Sequence, residues 1–169
     1  MEKAGGEGER SAATVVDGGE GDLFLSLRRL EISDNEKGFV ELLSQLSPSS
    51  TPLSDADFRT RFAELAALGE DHVIVVAENP RTGKIVATGS VFVERKFLRG
   101  AGKVGHIEDV VVDAAARGYH LGQRVVRYLT DHAKAVGCYK VILDCTSDLR
   151  SFYGKCGFKE KDIQMTIYF

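Results

Sequence analysis

Arg117-Gly118-Tyr119-His120-Leu121-Gly122, entered from the apolar run Val110-Val111-Val112 and followed by a helical pattern, decides how this chain is read. A strand, a short loop with two glycines and a helix start leave several backbone N–H groups unpaired and aimed at one spot, which favours an anion. That arrangement suits a phosphate-bearing ligand. A tight strand-to-helix turn with no ligand carries the same local signature, so the surrounding pattern has to separate the two.

Working outward, Leu121, Val125, Leu129, His132 and Val136 recur at helical spacing over residues 121–136, and Gly137 is the expected stop. Upstream, residues 107–112 read as a central strand, because the second half is apolar on both faces. A glycine-rich, basic loop (Gly100, Gly102, Lys103, Gly105) precedes it. Residues 72–78 and 84–92 are rich in β-formers, and Asn79-Pro80-Arg81-Thr82-Gly83 between them predicts an antiparallel hairpin. Closer to the N-terminus, Leu23, Leu25 and Leu27 alternate over residues 23–30, as in a half-buried strand. Ser33 with Glu36 predicts a capping box before Phe39, Val40, Leu42, Leu43 and Leu46. After Pro48 and Pro52, Ser54 with Asp57 opens a second helix with Phe58, Phe62, Leu65 and Leu68 on one face and Gly69 closing it. Downstream, residues 141–143 predict a strand, 148–156 a short helix ended by Gly157, and 163–169 a final strand. The expected order is β, α, α, β, β, β, α, β, α, β.

The 169 residues suffice for one domain with a sizeable core. Residues 1–22 hold six acids and two bases, a net of −4 against −3 for the whole chain, and few apolar side chains. Such a tail buries too little to offset the entropy of ordering, so disorder is expected there, with the domain at 23–169. The tail has neither the arginines of a transit peptide nor the apolar stretch of a signal peptide, and no later run is long enough to span a bilayer, which points to the cytoplasm. Cys138, Cys145 and Cys156 are odd in number and lack metal-ligand spacing, so neither a disulfide framework nor a metal is expected. No basic stripe with interleaved aromatics supports nucleic-acid binding.

Strand, Arg-Gly-x-x-Leu-Gly loop, long helix, strand, then Phe152-Tyr153-x-Lys155-x-Gly157-Phe158 resembles the acyl-CoA-binding core of the GNAT N-acetyltransferase superfamily over roughly residues 23–169. Gly105-His106-Ile107-Glu108-Asp109-Val110-Val111-Val112 and Cys138-Tyr139-Lys140-Val141-Ile142-Leu143-Asp144-Cys145 resemble, within it, the eukaryotic glucosamine-6-phosphate N-acetyltransferase family. The resemblance implies an α/β (α+β) fold with a mixed, mostly antiparallel sheet flanked by helices. It also implies acetyl transfer from acetyl-CoA to the 2-amino group of D-glucosamine 6-phosphate, feeding UDP-N-acetylglucosamine synthesis in amino sugar metabolism. Other readings are an acetyltransferase for another small amine or a protein N-terminus, or a CoA-binding module without turnover.

Transfer from a thioester to an amine needs a diphosphate anchor, a polarised carbonyl, a neutral amine and a proton for the departing thiolate. The anchor is expected in Arg117, Gly118, Tyr119, His120, Leu121, Gly122 and Gln123. The superfamily usually has a small residue where this chain has His120, whose bland reading is an exposed loop histidine. Backbone groups of Val110, Val111 and Val112 would meet the pantetheine arm. Glu108 is the candidate to accept the amine proton, Asp109 to orient the sugar and Asp144 to hold the amine, with Cys145 giving backbone contacts. Alternation along the strand lets only one of Glu108 and Asp109 face a given cleft. Tyr153 would protonate the leaving sulfur, and Asp148 would cap its helix. Arg95, Lys96, Arg99 and Lys103 lie in one loop, and the resemblance assigns Lys96, Phe97, Leu98 and Arg99 to the substrate phosphate. Ser47 falls where the family commonly has a threonine touching the sugar, and Tyr168 where the fungal branch has an arginine. Family members are homodimers whose final strand and substrate-binding residues cross between subunits. Peripheral association with endomembranes such as the endoplasmic reticulum is compatible with this reading.

Overall fold

In the computed structural model, which describes residues 25–47 and 53–169, five strands form one sheet in the order β1-β2-β3-β4-β5. They are β1 (Leu27–Arg29), β2 (His72–Glu78), β3 (Ile85–Arg95), β4 (Lys103–Val112) and β5 (Cys138–Ile142). The first four pair antiparallel and β5 joins β4 in parallel, giving the mixed, mostly antiparallel sheet that was expected. The hairpin between β2 and β3 forms as predicted, closed by Gly83 N–H donating to the Asn79 carbonyl at 2.8 Å.

The helices cover both faces. On one lies α1 (Phe39–Leu43) with α2 (Asp55–Ala66), on the other α4 (Leu121–Ala135), while α3 (Leu98–Ala101) is a single distorted turn before β4. The periodic face of α4 places Leu121, Val125, Val126, Leu129 and Ala133 against Val73, Val75, Val91 and Ile107 of the sheet. Each such fully buried aliphatic side chain contributes about 1.5–3 kcal/mol, so this face anchors the helix that begins at the glycine loop. Close approach is needed as well. A Cβ at Gly105 would meet the Ala133 Cβ at 2.9 Å, and one at Gly89 would meet Val125 at 2.8 Å. On the opposite face Phe39, Leu42 and Phe58 pack on Val76, Ile85 and Val111. Ser54 caps α2 by accepting from the Asp57 N–H at 3.1 Å, as its spacing predicts, and Gly69 closes the segment with φ 57°.

At the edge of the sheet a charged cluster ties the N-terminal segment down. Arg28 donates to both oxygens of the fully buried Asp34 at 2.7 Å and to Glu78 at 2.6 Å, and Lys37 reaches Glu78 at 2.8 Å. Burial pushes the Asp34 carboxyl up, but the Arg28 guanidinium and the Glu31 N–H outweigh it and hold it below the ordinary range.

Several expectations need correction. The capping box at Ser33 and Glu36 does not form. A 3-10 turn at Ile32–Asn35 is closed instead by Asp34, which accepts from the Glu31 N–H, and left-handed Gly38 (φ 86°) separates that turn from α1. β4 starts at Lys103, so Gly105 belongs to the sheet, and β5 starts at Cys138 and ends at Ile142. The helix expected at 148–156 divides into a 3-10 turn at Ser147–Leu149 and α5 (Arg150–Lys155), with Asp148 inside the turn and capping neither piece. Leu68 points to solvent at 53 % exposure. The strand expected at 163–169 is not formed: Ile163, Met165, Ile167, Tyr168 and Phe169 are 76–118 % exposed, and among the described residues the outer edge of β5 stays unpaired. Leu23, Pro48, Pro52 and the acidic tail at 1–22 lie outside the described residues. No helix among those described is long and apolar enough to cross a membrane.

Candidate active site

Two neighbouring strands part company at one end of the sheet. The parallel register of β4 and β5 runs from Lys103↔Cys138 to His106↔Ile142 and stops, leaving residues 107–112 of β4 without a strand on that side. A bulge marks the same place. Thr88 faces Val111 and Ser90 faces Glu108, so Gly89 alone opposes both Asp109 and Val110, and Asp109 takes up the extra residue in a left-handed conformation (φ 53°). Bulges bend and twist a strand, which here turns β4 away from β5. The result is a gap with unpaired backbone donors and acceptors along one wall.

The bulge also breaks alternation. Ile107 and Val110, three residues apart, both face the α4 side, while Val111 packs among α1 and α2. Glu108 and Asp109 are both exposed, and the regular alternation on which their expected separation rested is interrupted between them. Two residues beyond the last His106↔Ile142 pair stand Glu108 and Asp144, which therefore flank the mouth of the gap. Glu108 has an open edge, yet the protein packed around its carboxyl pushes its pKa up, with Asp109 and Asp144 adding to the rise and His106 opposing it. Gln164 donates to Asp144 at 2.8 Å, a contact that nothing in the sequence signalled.

Tyr153 of α5 is buried, at 8 % exposure, with its ring edge-on to Phe152 at 4.9 Å and to Phe158 at 6.2 Å. Burial raises its phenol pKa, and Cys145, Cys156 and Glu108 add to the rise, which places Tyr153 beside the carboxylate end of the gap. A phenol so placed stays protonated at neutral pH and can donate. Cys145 is exposed and free.

At the other end of the gap, β4 runs through Val112 into the glycine loop. Gly118 (φ 94°) and His120 (φ 55°) are left-handed, and His120 is the residue before α4, its ring Nδ1 3.2 Å from Gln123 Oε1. Leu121 and Gly122 are buried, and a Cβ at Gly122 would come within 3.0 Å of Phe152, so glycine lets α4 and α5 meet. Arg117 and Tyr119 are exposed. The first turn of α4 has no acidic residue. Free N–H groups, an arginine and no opposing carboxylate are a donor set that fits a diphosphate. The side chains of Val110, Val111 and Val112 are packed into the core, which leaves only their backbone to a ligand.

The four loop cations do not converge. Arg95 pairs with Asp71 at 2.7 Å, Lys103 donates to the Val136 carbonyl at 3.0 Å, and Arg99 lies 5.3 Å over the Tyr139 ring. Lys96 reaches Glu94 at 2.6 Å, and Glu94 in turn meets His106 at 3.0 Å. Phe97 and Leu98 project into solvent. Ser47 and Tyr168 are exposed, and no hydrogen bond or ion pair among the described residues ties either to Glu108. Glu94 begins the loop Glu94-Arg95-Lys96-Phe97 that resembles the family, and the sequence reading gave it no role of its own.

Residues 38–158 match the model of the acetyltransferase (GNAT) family. The chain is 62 % identical over 161 residues to a probable glucosamine 6-phosphate N-acetyltransferase 2 of Oryza sativa subsp. japonica, covering 94 % of this chain and 95 % of that one. It is 56 % identical over 143 residues to the glucosamine 6-phosphate N-acetyltransferase of Arabidopsis thaliana, covering 85 % and 95 %. The crystal structure of glucosamine-6-phosphate N-acetyltransferase from Arabidopsis thaliana superposes with a TM-score of 0.84 at 55 % identity, over 86 % of this chain and 98 % of that one.

Proposed function

Since the chain belongs to the acetyltransferase (GNAT) family, we propose that it transfers acetyl from acetyl-CoA to the 2-amino group of D-glucosamine 6-phosphate, giving N-acetyl-D-glucosamine 6-phosphate. The observation that carries this reading is the β4/β5 gap with Glu108 and Asp144 at its mouth, Asp109 in the bulge beside them, and the buried phenol of Tyr153 near enough for Glu108 to raise its pKa. The names and high identities of the relatives support the sugar phosphate as the acceptor.

In this reading Arg117, Gly118, Tyr119, His120, Leu121, Gly122 and Gln123 hold the diphosphate of acetyl-CoA, and the free edge of β4 from Val110 to Val112 receives the pantetheine arm as an added strand would. When bound, acetyl-CoA supplies the thioester carbonyl that the amine attacks. Asp144 and Asp109 hold and orient the amino sugar, with backbone contacts from Cys145. Glu108, whose raised pKa makes it a better base than an ordinary glutamate, takes the amine proton. Tyr153, held protonated by burial, gives its proton to the sulfur as it leaves. Lys96 and Arg99, with Phe97 and Leu98 beside them, receive the sugar phosphate, and Ser47 and Tyr168 join the site from one subunit or its partner. The exposed apolar side chains at 163–169 support a second copy as that partner, since a chain that leaves five large apolar groups uncovered gains by pairing them.

Thiol release from acetyl-CoA, measured in parallel with glucosamine 6-phosphate, spermidine and a peptide N-terminus, tests the reading. Release only with the amino sugar is expected. Equal release with spermidine would move the assignment to another amine, and none with any acceptor would leave a binding module.

A further inference from the structure

One carboxylate near the end of β3 is shared between an ammonium and an imidazole. Glu94 accepts from Lys96 Nζ at 2.6 Å through Oε1, and its Oε2 lies 3.0 Å from His106 Nε2. Lys96 first and His106 second hold the Glu94 carboxyl below the ordinary range, so it is ionised and able to bind both. His106 faces Phe92 across the β3/β4 ladder, and the two rings stack with centroids 4.4 Å apart and planes 16° from parallel. The stack fixes the plane of the imidazole and the hydrogen bond fixes its edge, so the ring is held in one orientation. Two residues on, before the bulge interrupts alternation, comes Glu108 on the same face of the strand. A single side chain therefore joins the ammonium of the β3–β4 loop to the ring that stands beside Glu108.

We propose that Glu94 is a positioning residue of the acetylation site, holding on its two oxygens the Lys96 cation for the anionic end of the sugar and the His106 ring beside the base for its amine. This rests on the amino sugar phosphate reading given above. The spacing between the phosphate-binding and proton-accepting ends is then set by one carboxylate, and a substrate with an anion at one end and an amine at the other fits it best. A phosphate arriving at Lys96 competes with Glu94 for the ammonium and loosens one of the two bonds, which leaves the carboxylate to His106 alone. Around Glu108 the charged and titratable groups are His106 and Asp109 on its own strand, Asp144 beyond β5, and Tyr153 on α5. Around His106 they are Glu94 and, through it, Lys96. His106 opposes the carboxylates that raise Glu108, so its loss lets the Glu108 carboxyl rise further.

The test compares kcat/KM for glucosamine 6-phosphate with that for unphosphorylated glucosamine. A merely structural Glu94 would lower both alike. Instead, Glu94→Gln is expected to lower the ratio about tenfold, the scale of one hydrogen bond to a charged group. Lys96→Met is expected to lower it as far, and the double variant no further, since all three break one chain. His106→Gln keeps a donor for Glu94 but removes the group that opposes the rise of Glu108, and should move the acidic limb of the kcat/KM profile to higher pH. An unchanged ratio in Glu94→Gln, or an unmoved limb in His106→Gln, with circular dichroism showing intact folding, overturns the proposal. Should Glu94→Gln not fold, Lys96→Met with His106→Gln decides it by the same ratio and limb. A wild-type protein that acetylates neither sugar overturns the functional reading itself, and this one with it.

Discussion

At the scale of single residues, environment divides the labour between groups of ordinary chemistry. Tyr153 is a buried phenol whose pKa is raised first by burial, and in the proposed reaction it serves as a donor and not a base. Tyr153→Phe keeps the ring packed between Phe152 and Phe158 and removes only the proton. It should lower kcat by about 100-fold or more with little change in the KM for either substrate, and steady-state kinetics showing an unaltered kcat would exclude Tyr153 from proton donation. In the proposed reaction Glu108 has the opposite task, at a cost to folding. Its folded pKa is raised, so between the unfolded value and the folded one the native state binds more protons, and stability falls as pH rises through that window. Glu108→Gln carries no charge to be destabilised. It should therefore lower kcat/KM by about 100-fold or more while raising Tm at pH 7. The gain in Tm should shrink as pH falls below the unfolded value, and a Tm lower than wild type at pH 7 would show that Glu108 is not strained by its surroundings.

At the scale of elements, the long helix and the hairpin were legible because their signals are local: apolar side chains at helical spacing over 121–135, and turn residues between two β-rich runs. The Ser54 cap and the Gly137 stop (φ 88°) are local too, each a matter of one residue's chemistry. The cap before the first helix was misread for a reason of longer range. Asp34 closes the 3-10 turn at Ile32–Asn35 because Arg28 and Lys37 reach it from both sides, and Arg28 also holds Glu78, fifty residues on. A serine–glutamate spacing cannot reveal such a partner. Asp34→Asn leaves Arg28 with one carboxylate where it had two, and should cost about 3 kcal/mol in chemical denaturation at neutral pH, the scale of a broken buried pair. Asp34 has a lowered folded pKa, so its contribution is present above the unfolded value and is lost as pH falls through the folded one. The difference between wild type and variant should narrow in acid, and a difference independent of pH would assign the loss to packing.

At the scale of the whole molecule, the exposed C-terminal run is the feature that one chain leaves unfinished. Ile163, Met165, Ile167 and Phe169 stand at alternate positions, as in a strand, and together with Tyr168 they are exposed. Sedimentation equilibrium at micromolar concentration should give a dimer for the full chain and a monomer for one lacking residues 163–169, with activity falling alongside; a monomeric full chain would remove the partner from the site. The candidate site itself was half legible. Glu108, Asp144 and Tyr153 could be singled out by type and by family resemblance, and the glycine loop by its own backbone chemistry. By itself the sequence determined the helices, the hairpin, the cradle at 117–122 and the acids available, because caps, periodicity and glycine conformations depend on near neighbours. Only the tertiary structure decided that Asp109 sits in a bulge, that β4 and β5 part after His106 and Ile142, and that Glu94 spans Lys96 and His106. Each of these depends on the register between strands distant in the chain, and register is fixed by how two covered faces of a sheet pack, which no short stretch of sequence contains.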